Sequence, residues 1–183
     1  GLSTSAGLNA YIPLLVVALA AHFPVNEPLL KLSEPYDLLG STWVILVLLI
    51  LLTIEMLVDK VPAVDSLNDI IQTFIRPAAG AVLFAANAHV ITDISPVLAL
   101  LAGLLLAGGV HTVKGVVRPA VTASTAGTGN WLVSLVEDII AFFVSVFSLL
   151  LPILAALGLM VLFTLLFIFW RRRRQRQTMA FGK

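Results

Sequence analysis

Several carboxylates stand at the ends of apolar stretches or inside them, and they are the first candidates for chemistry. Glu55 and Asp59 are four residues apart, so they share one face of a helix. Glu137 and Asp138 are neighbours within another apolar stretch. A charged side chain toward the bilayer centre costs roughly 2.5–3.5 kcal/mol on insertion scales, which makes such residues functional candidates by default.

Basic side chains occupy matching positions on other stretches. His111, Lys114 and Arg118 are spaced three and four residues apart and share one helix face, and Arg76 ends an amphipathic segment. Because both signs of charge are present among apolar stretches, we expect them to pair inside a helical bundle. The alternative is a purely structural ion-pair network that fixes the register of the helices.

The balance of these charges indicates which chemistry they suit. We count six acids, Glu55, Asp59, Asp65, Asp69, Glu137 and Asp138, against four bases, Lys60, Arg76, Lys114 and Arg118. Pairing alone leaves carboxylate in excess, as a site that couples to a proton or another cation requires. We therefore expect Glu137, Asp138, Glu55 and Asp59 to bind or relay a cation. Lys114, Arg118 and Arg76 would pair with them or hold an anionic group.

Two similar polar segments, residues 1–9 and 122–130, precede predicted helices. The free N–H groups at the start of a helix favour an anion. Gly127, Gly129 and Asn130 form a candidate anion-cradling loop, with Lys114, Arg118 or Arg76 supplying charge. The alternative is that both segments are ordinary helix-capping connectors.

Composition narrows the class of protein. The 183 residues are 60% hydrophobic and 11% charged, whereas a soluble domain has about 25% charged residues. The mean hydropathy is +1.06. The net charge of +1 argues against a nucleic-acid partner, and the lack of cysteine excludes disulfides and thiol catalysis. No Walker-type loop, nucleophile elbow or HExxH motif is present, so we predict no metal and no cofactor.

The elements that must position these residues are membrane helices, which need about 17–25 apolar residues each. We predict an all-α bundle of about six spans, at residues 8–23, 42–58, 78–91, 97–117, 131–150 and 152–170. The last two would be joined by a tight turn at Leu151–Pro152. The span 78–91 is short and rich in alanine, so we expect it inside the bundle. The pattern of residues 64–76 predicts a short amphipathic helix along the membrane interface. The alternative is that these residues are only a connector.

The distribution of lysine and arginine predicts the orientation. With six spans, ten of the eleven basic residues fall on one face, which we assign to the cytoplasm together with both termini. Residues 1–170 would form a single transmembrane domain, followed by a basic cytoplasmic tail at 171–183. That tail anchors the topology, and binding of anionic lipid is a weaker addition.

Several stretches of the sequence resemble a bacterial family of integral membrane proteins that is catalogued only as a domain of unknown function. They are GLSTSAGLNAYIPLL, EMLVDKVPAVDSLNDIIQTFIRPAAGA, HTVKGVVRPAV and NWLVSLVEDI. The resemblance covers most of the chain, and its most specific part is residues 55–81. It implies a multi-pass protein of the inner membrane, and the charged residues named above coincide with the family's motifs. The resemblance implies no activity, substrate or cofactor for this chain.

Three functions remain open on this basis. The first is a small transporter or channel that moves a small ion, a solute or an anionic lipid group such as a lipid phosphate. We expect it to be a homo-oligomer because six short spans enclose little volume. The second is a non-catalytic scaffold or assembly protein in which the buried ion pairs are structural. The third is an enzyme that modifies a lipid headgroup, using a divalent metal held between Glu55, Asp59 and Glu137.

Overall fold

The described part of the protein is helical throughout its regular elements, as predicted. The structure is a computed structural model that describes residues 1–24, 26–32, 34–58, 62–88, 95–125 and 129–180. The elements are α1 (Leu2–Leu8), α2 (Tyr11–His22), a 3-10 helix (Tyr36–Gly40), α3 (Thr42–Val58), α4 (Pro62–Ala88), α5 (Pro96–Thr125) and α6 (Asn130–Ala180). The chain divides into two units, Gly1–Val146 and Phe147–Lys183, which are described one at a time.

Three helical stretches are long and apolar enough to cross a membrane: Asn68–Asn87, Pro96–Thr125 and Asn130–Pro152. Two shorter apolar helices, Tyr11–His22 and Thr42–Val58, accompany them. The chain is therefore a helical membrane protein. The count of six spans stays a prediction. Of the predicted spans, the one at 42–58 coincides with α3.

The first predicted span, residues 8–23, is wrong as a single helix. The seven residues of α1 end at Leu8, Asn9 is extended, and α2 begins at Tyr11. The Asn9 side chain explains this break, because its Oδ1 accepts the backbone N–H groups of Tyr11 at 2.9 Å and Ile12 at 3.1 Å. It thereby satisfies donors at the start of a new helix. The polar segment at 1–9, predicted to precede a helix, is itself mostly helical.

The predicted interfacial helix at 64–76 and the predicted span at 78–91 form one helix, α4, which continues through Pro77. The expectation of two separate elements is wrong. The amphipathic pattern marks a helix of the bundle whose polar face is buried, not a helix on the membrane surface. Ile70, Ile71 and Phe74 are exposed, whereas Gln72 and Arg76 are buried. In a membrane the apolar face of a helix meets lipid, and its polar face packs inward.

The alanine-rich part of α4 is predicted to lie inside the bundle, and most of its described residues are buried, although Ala78 is exposed. Ala79, Ala81, Leu83 and Ala85 are all buried. Residues 89–91 lie outside the described part of the chain.

Helix α5 also runs further than predicted, through Pro119 to Thr125 instead of ending at 117. Two threonines fold back onto the preceding turn, with Thr122 donating to the Arg118 carbonyl at 3.1 Å and Thr125 to the Val121 carbonyl at 2.8 Å. The hydrogen-bonding needs of both hydroxyls are thus met within a helix, which allows this polar segment to be helical.

The predicted tight turn at Leu151–Pro152 is not found, because α6 remains helical through Pro152. Proline removes one helix hydrogen bond, but no glycine, asparagine or aspartate stands beside it to form a turn. In the unit from Phe147 onward, described apolar side chains such as Met160 and Phe163 are exposed. The backbone of residues 171–180 in the predicted tail continues the helix, and residues 181–183 lie outside the described part.

In the first unit, small residues let the short helix α1 pack deeply against α4 and α5. A Cβ atom on Gly7 would lie 2.5 Å from the Ala107 carbonyl oxygen, and one on Gly80 would lie 2.8 Å from the Gly103 carbonyl oxygen. Ser5 ties α1 to α6 by donating to the Ala141 carbonyl at 2.8 Å. Close helix contact of this kind is typical of membrane bundles.

Candidate functional site

A network of buried charges lies where α3, α4, α5 and the start of α6 meet. Arg76 on α4, with 1% of its side chain exposed, pairs through Nη2 with Glu55 Oε1 of α3 at 3.2 Å. Its Nη1 lies 3.9 Å from Asp69 Oδ1 on the same helix. One guanidinium therefore joins two carboxylates from two helices.

His111 on α5 adds a neutral hydrogen-bonding group to Arg76. An arginine only donates, so the His111 Nδ1 that lies 3.1 Å from Arg76 Nη1 accepts and carries no proton. The other ring nitrogen, Nε2, donates to the Thr73 hydroxyl at 3.1 Å. Thr73 in turn donates to the Asp69 carbonyl at 2.8 Å. These contacts assign His111 as the neutral Nε2–H tautomer.

The second half of the network joins α5 to α6. Lys114 Nζ lies 2.7 Å from Glu137 Oε2, with 3% and 13% of the two side chains exposed. Arg118 Nη1 donates to Asp69 Oδ2 at 3.0 Å, and its Nη2 lies 3.7 Å from Glu137 Oε2. Asp69 therefore connects the two halves, because it contacts both Arg76 and Arg118.

The break between α1 and α2 contributes backbone and side-chain groups to the same region. Lys114 Nζ donates to the carbonyl oxygen of Leu8, the last residue of α1, at 3.1 Å. A carbonyl at the end of a helix lacks an intrahelical partner, so this donor satisfies it. Asn9 Nδ2 donates to Asp138 Oδ1 at 2.8 Å. Irregular backbone at membrane depth is tolerated where such partners surround it.

An open pocket of about 570 Å³ reaches this network from one side. Its polar lining comes from α4, α5 and the first residue of α6: Asp69, Thr73, His111, Lys114, Arg118, Thr122 and Asn130. Ile70, Pro119 and Ala123 form an apolar part of its wall. The volume lies within the range of about 300–1,000 Å³ that is typical of small-molecule sites.

Six of the residues that the sequence singled out come together in this region: Glu55, Arg76, Lys114, Arg118, Glu137 and Asp138. Asp59 and Gly127 lie outside the described residues. Of the candidate loop, Gly129 donates its N–H to Thr125 Oγ1 at 3.1 Å, as in a helix-end connector. Asn130 lines the pocket, and its Oδ1 lies 3.0 Å from Thr122 Oγ1.

Sequence reasoning missed two residues of the network, Asp69 and Asn9. Asp69 was counted among the acids but placed on a surface helix, although its spacing to Gln72 and Arg76 puts all three on one helix face. Asn9 carried only the weak signal of its similarity to Asn130. Among the residues that the structure describes, no group of three or more histidines and carboxylates is placed to hold a metal ion.

Comparison with known proteins identifies the family. Residues 1–172 match the family described as Domain of unknown function (DUF4126). The chain belongs to this family. No curated protein and no solved structure matches it. Its membership agrees with the resemblance found in the sequence, and it assigns no activity to the charge network.

Proposed function

We propose that this DUF4126 protein is a small membrane transporter or channel that moves an ion or small solute past the buried charge network. The observation that carries the proposal is the open pocket lined by Asp69, Lys114 and Arg118. Desolvating so many charges is costly, and a network that served only to join helices would gain nothing from a polar opening.

The charge balance supports coupling to a proton or another cation. Among the described side chains of the network, four carboxylates (Glu55, Asp69, Glu137 and Asp138) accompany three cations (Arg76, Lys114 and Arg118). A proton or another cation that binds among these side chains and leaves again changes the net charge of the network. A group that gains and loses such a charge gives the network two electrostatic states, which a transport cycle requires.

The setting of this function is part of the proposal. We place the protein in the inner membrane of a bacterium with the pocket end of the bundle toward the cytoplasm, because Arg76, Lys114 and Arg118 lie at that end. We also propose a homo-oligomer in the bilayer and contact between the basic residues of the tail and anionic lipid.

A flux assay tests the proposal. The full chain is reconstituted in liposomes, and H⁺, Na⁺, K⁺, chloride and phosphate fluxes are measured against empty liposomes. We expect at least one flux above background and its loss in Glu137→Gln, because the Lys114 ammonium then loses its carboxylate partner. The matched control is Glu34→Gln, since Glu34 is an exposed acid in the loop before α3. Background flux for all five ions, or unchanged flux in Glu137→Gln, would contradict the proposal.

A scaffold function is the second candidate, and one specific observation favours it. Arg76, Lys114 and Arg118 each contact a carboxylate of the same chain, as a structural network requires. On this alternative Glu137→Gln lowers the thermal stability and the recovery of a partner complex, while no ion moves in either protein.

A further inference from the structure

We infer that the pocket binds the phosphate group of its ligand at Arg118 and Lys114, and that Asp69 holds this position until the ligand displaces it. This inference rests on the proposed function in that it names the ligand class of the same pocket. Its three steps concern Asp69, the donors around it, and the apolar wall.

Asp69 is the most exposed of the three carboxylates that form ion pairs with Arg76, Lys114 and Arg118. Its side chain is 31% exposed, compared with 3% for Glu55 and 13% for Glu137. It lines the pocket, and its Oδ2 lies 3.0 Å from Arg118 Nη1. An anion entering from the pocket therefore meets Asp69 first and competes with it for the same guanidinium.

Displacing Asp69 leaves each of the other two cations with a carboxylate partner. Glu55 still holds Arg76, which gives up only its 3.9 Å contact with Asp69, and Glu137 still holds Lys114. Arg118 exchanges one anionic partner for another. The exchange therefore keeps every buried cation neutralised, whereas removal of Glu55 or Glu137 would expose a buried charge.

The donors around Arg118 suit a phosphate group better than a second carboxylate. An arginine guanidinium presents paired N–H donors that match phosphate oxygens, and a lysine ammonium adds a compact point charge. Three polar side chains, Thr73, Thr122 and Asn130, also line the pocket. A phosphate has enough oxygens to accept from several of these donors at once.

The apolar wall indicates that more than a bare phosphate ion is accommodated. Ile70 and Pro119 line the pocket, and the Ile70 side chain is 62% exposed on the apolar face of α4. The pocket thus joins a charged wall to the surface that faces lipid. Two sources supply a phosphate group here, a lipid headgroup and a free phosphate compound, and the experiment separates them.

The experiment measures binding to the purified full chain in a non-ionic detergent by titration calorimetry. One arm uses inorganic phosphate, and the other uses a short-chain phosphatidylglycerol with phosphatidylcholine as its zwitterionic control. We expect the natural protein to bind the probe. Asp69→Asn should bind it at least about tenfold more tightly and Arg118→Gln at least about tenfold more weakly, as expected for the gain or loss of one charge-assisted contact.

Asp37→Asn is the matched control for Asp69→Asn, because Asp37 is an exposed acid in the 3-10 helix. Tighter binding by Asp69→Asn alone supports the inference, and a gain of affinity cannot come from misfolding. Unchanged or weaker binding, equal gains in both variants, or no binding of either probe would overturn it. Binding of inorganic phosphate without lipid identifies a free phosphate compound, whereas binding of phosphatidylglycerol alone identifies a headgroup.

The same two assays separate this inference from the proposed function. Phosphate binding that responds to Asp69 and Arg118, with no flux in liposomes, leaves the inference standing and removes transport. Flux in liposomes without phosphate binding at the pocket leaves transport standing and removes this inference.

Discussion

At the scale of single residues, Lys114 is the most tightly enclosed charge beside the pocket. Its ammonium is held by the Glu137 carboxylate at 2.7 Å and by the Leu8 carbonyl at 3.1 Å, groups from two different helices. In a setting with little water, the loss of one partner leaves the other charge uncompensated, which is more costly than the loss of both.

This asymmetry predicts the stability of three variants. We expect Lys114→Met and Glu137→Gln each to lower the free energy of unfolding by about 3–5 kcal/mol, and the double variant to lose much less than their sum. The Tm and the coupling energy of this double-mutant cycle in detergent are the measurements. Lys31→Met is the control, since Lys31 is exposed. Additive losses would show that the two side chains do not depend on each other.

The residues of the site were more predictable than their roles. Burial cost identified Glu55, Arg76, Lys114 and Glu137 without any structure, because a charge within an apolar stretch is costly wherever the chain folds. Asn9 was not predictable in this way. Its importance depends on the break between α1 and α2 and on Asp138 lying 2.8 Å away across 129 residues of sequence.

At the scale of elements, close packing of α4 on α5 holds the two halves of the network together. Gly80 and Gly103 face each other, and a Cβ atom on Gly103 would overlap the Gly80 carbonyl oxygen and crowd the Cα of Ala81 at 2.7 Å. Backbone atoms cannot move aside as a flexible side chain does. The two helices must therefore separate if either glycine gains a side chain.

We predict that Gly103→Ala lowers the free energy of unfolding by about 1–3 kcal/mol, the usual cost of overpacking. Thermal unfolding in detergent measures this effect. Gly109→Ala is the matched control on the same helix, because no atom lies within 4 Å of a Cβ placed there. Equal stability of the two variants would mean that α4 and α5 do not approach this closely.

The elements show where sequence patterns are ambiguous for a membrane protein. The amphipathic stretch in α4 was interpreted as a helix on the membrane surface, since the pattern alone does not say which face meets lipid. Prolines gave a second ambiguity. Pro77, Pro119 and Pro152 all lie inside helices here, and proline is tolerated within membrane helices.

At the scale of the whole molecule, the chain is a helical membrane protein of the DUF4126 family, and the buried charges of its described residues lie around one pocket. Composition alone predicted the class, because too few polar residues are present to cover a soluble surface. Composition does not determine whether the charges move a solute or only hold helices together. That question separates the transporter from the scaffold.

The most direct test is the flux of the double variant Lys114→Met/Glu137→Gln in liposomes, with its Tm measured on the same preparation. We expect the double variant to keep most of the stability that either single variant loses, so that misfolding would not explain a loss of activity. The account predicts a Tm close to that of the natural protein together with no flux above empty liposomes. Flux at the natural rate in this folded variant, which lacks the Lys114–Glu137 pair, would show that the pair is structural and would contradict the account.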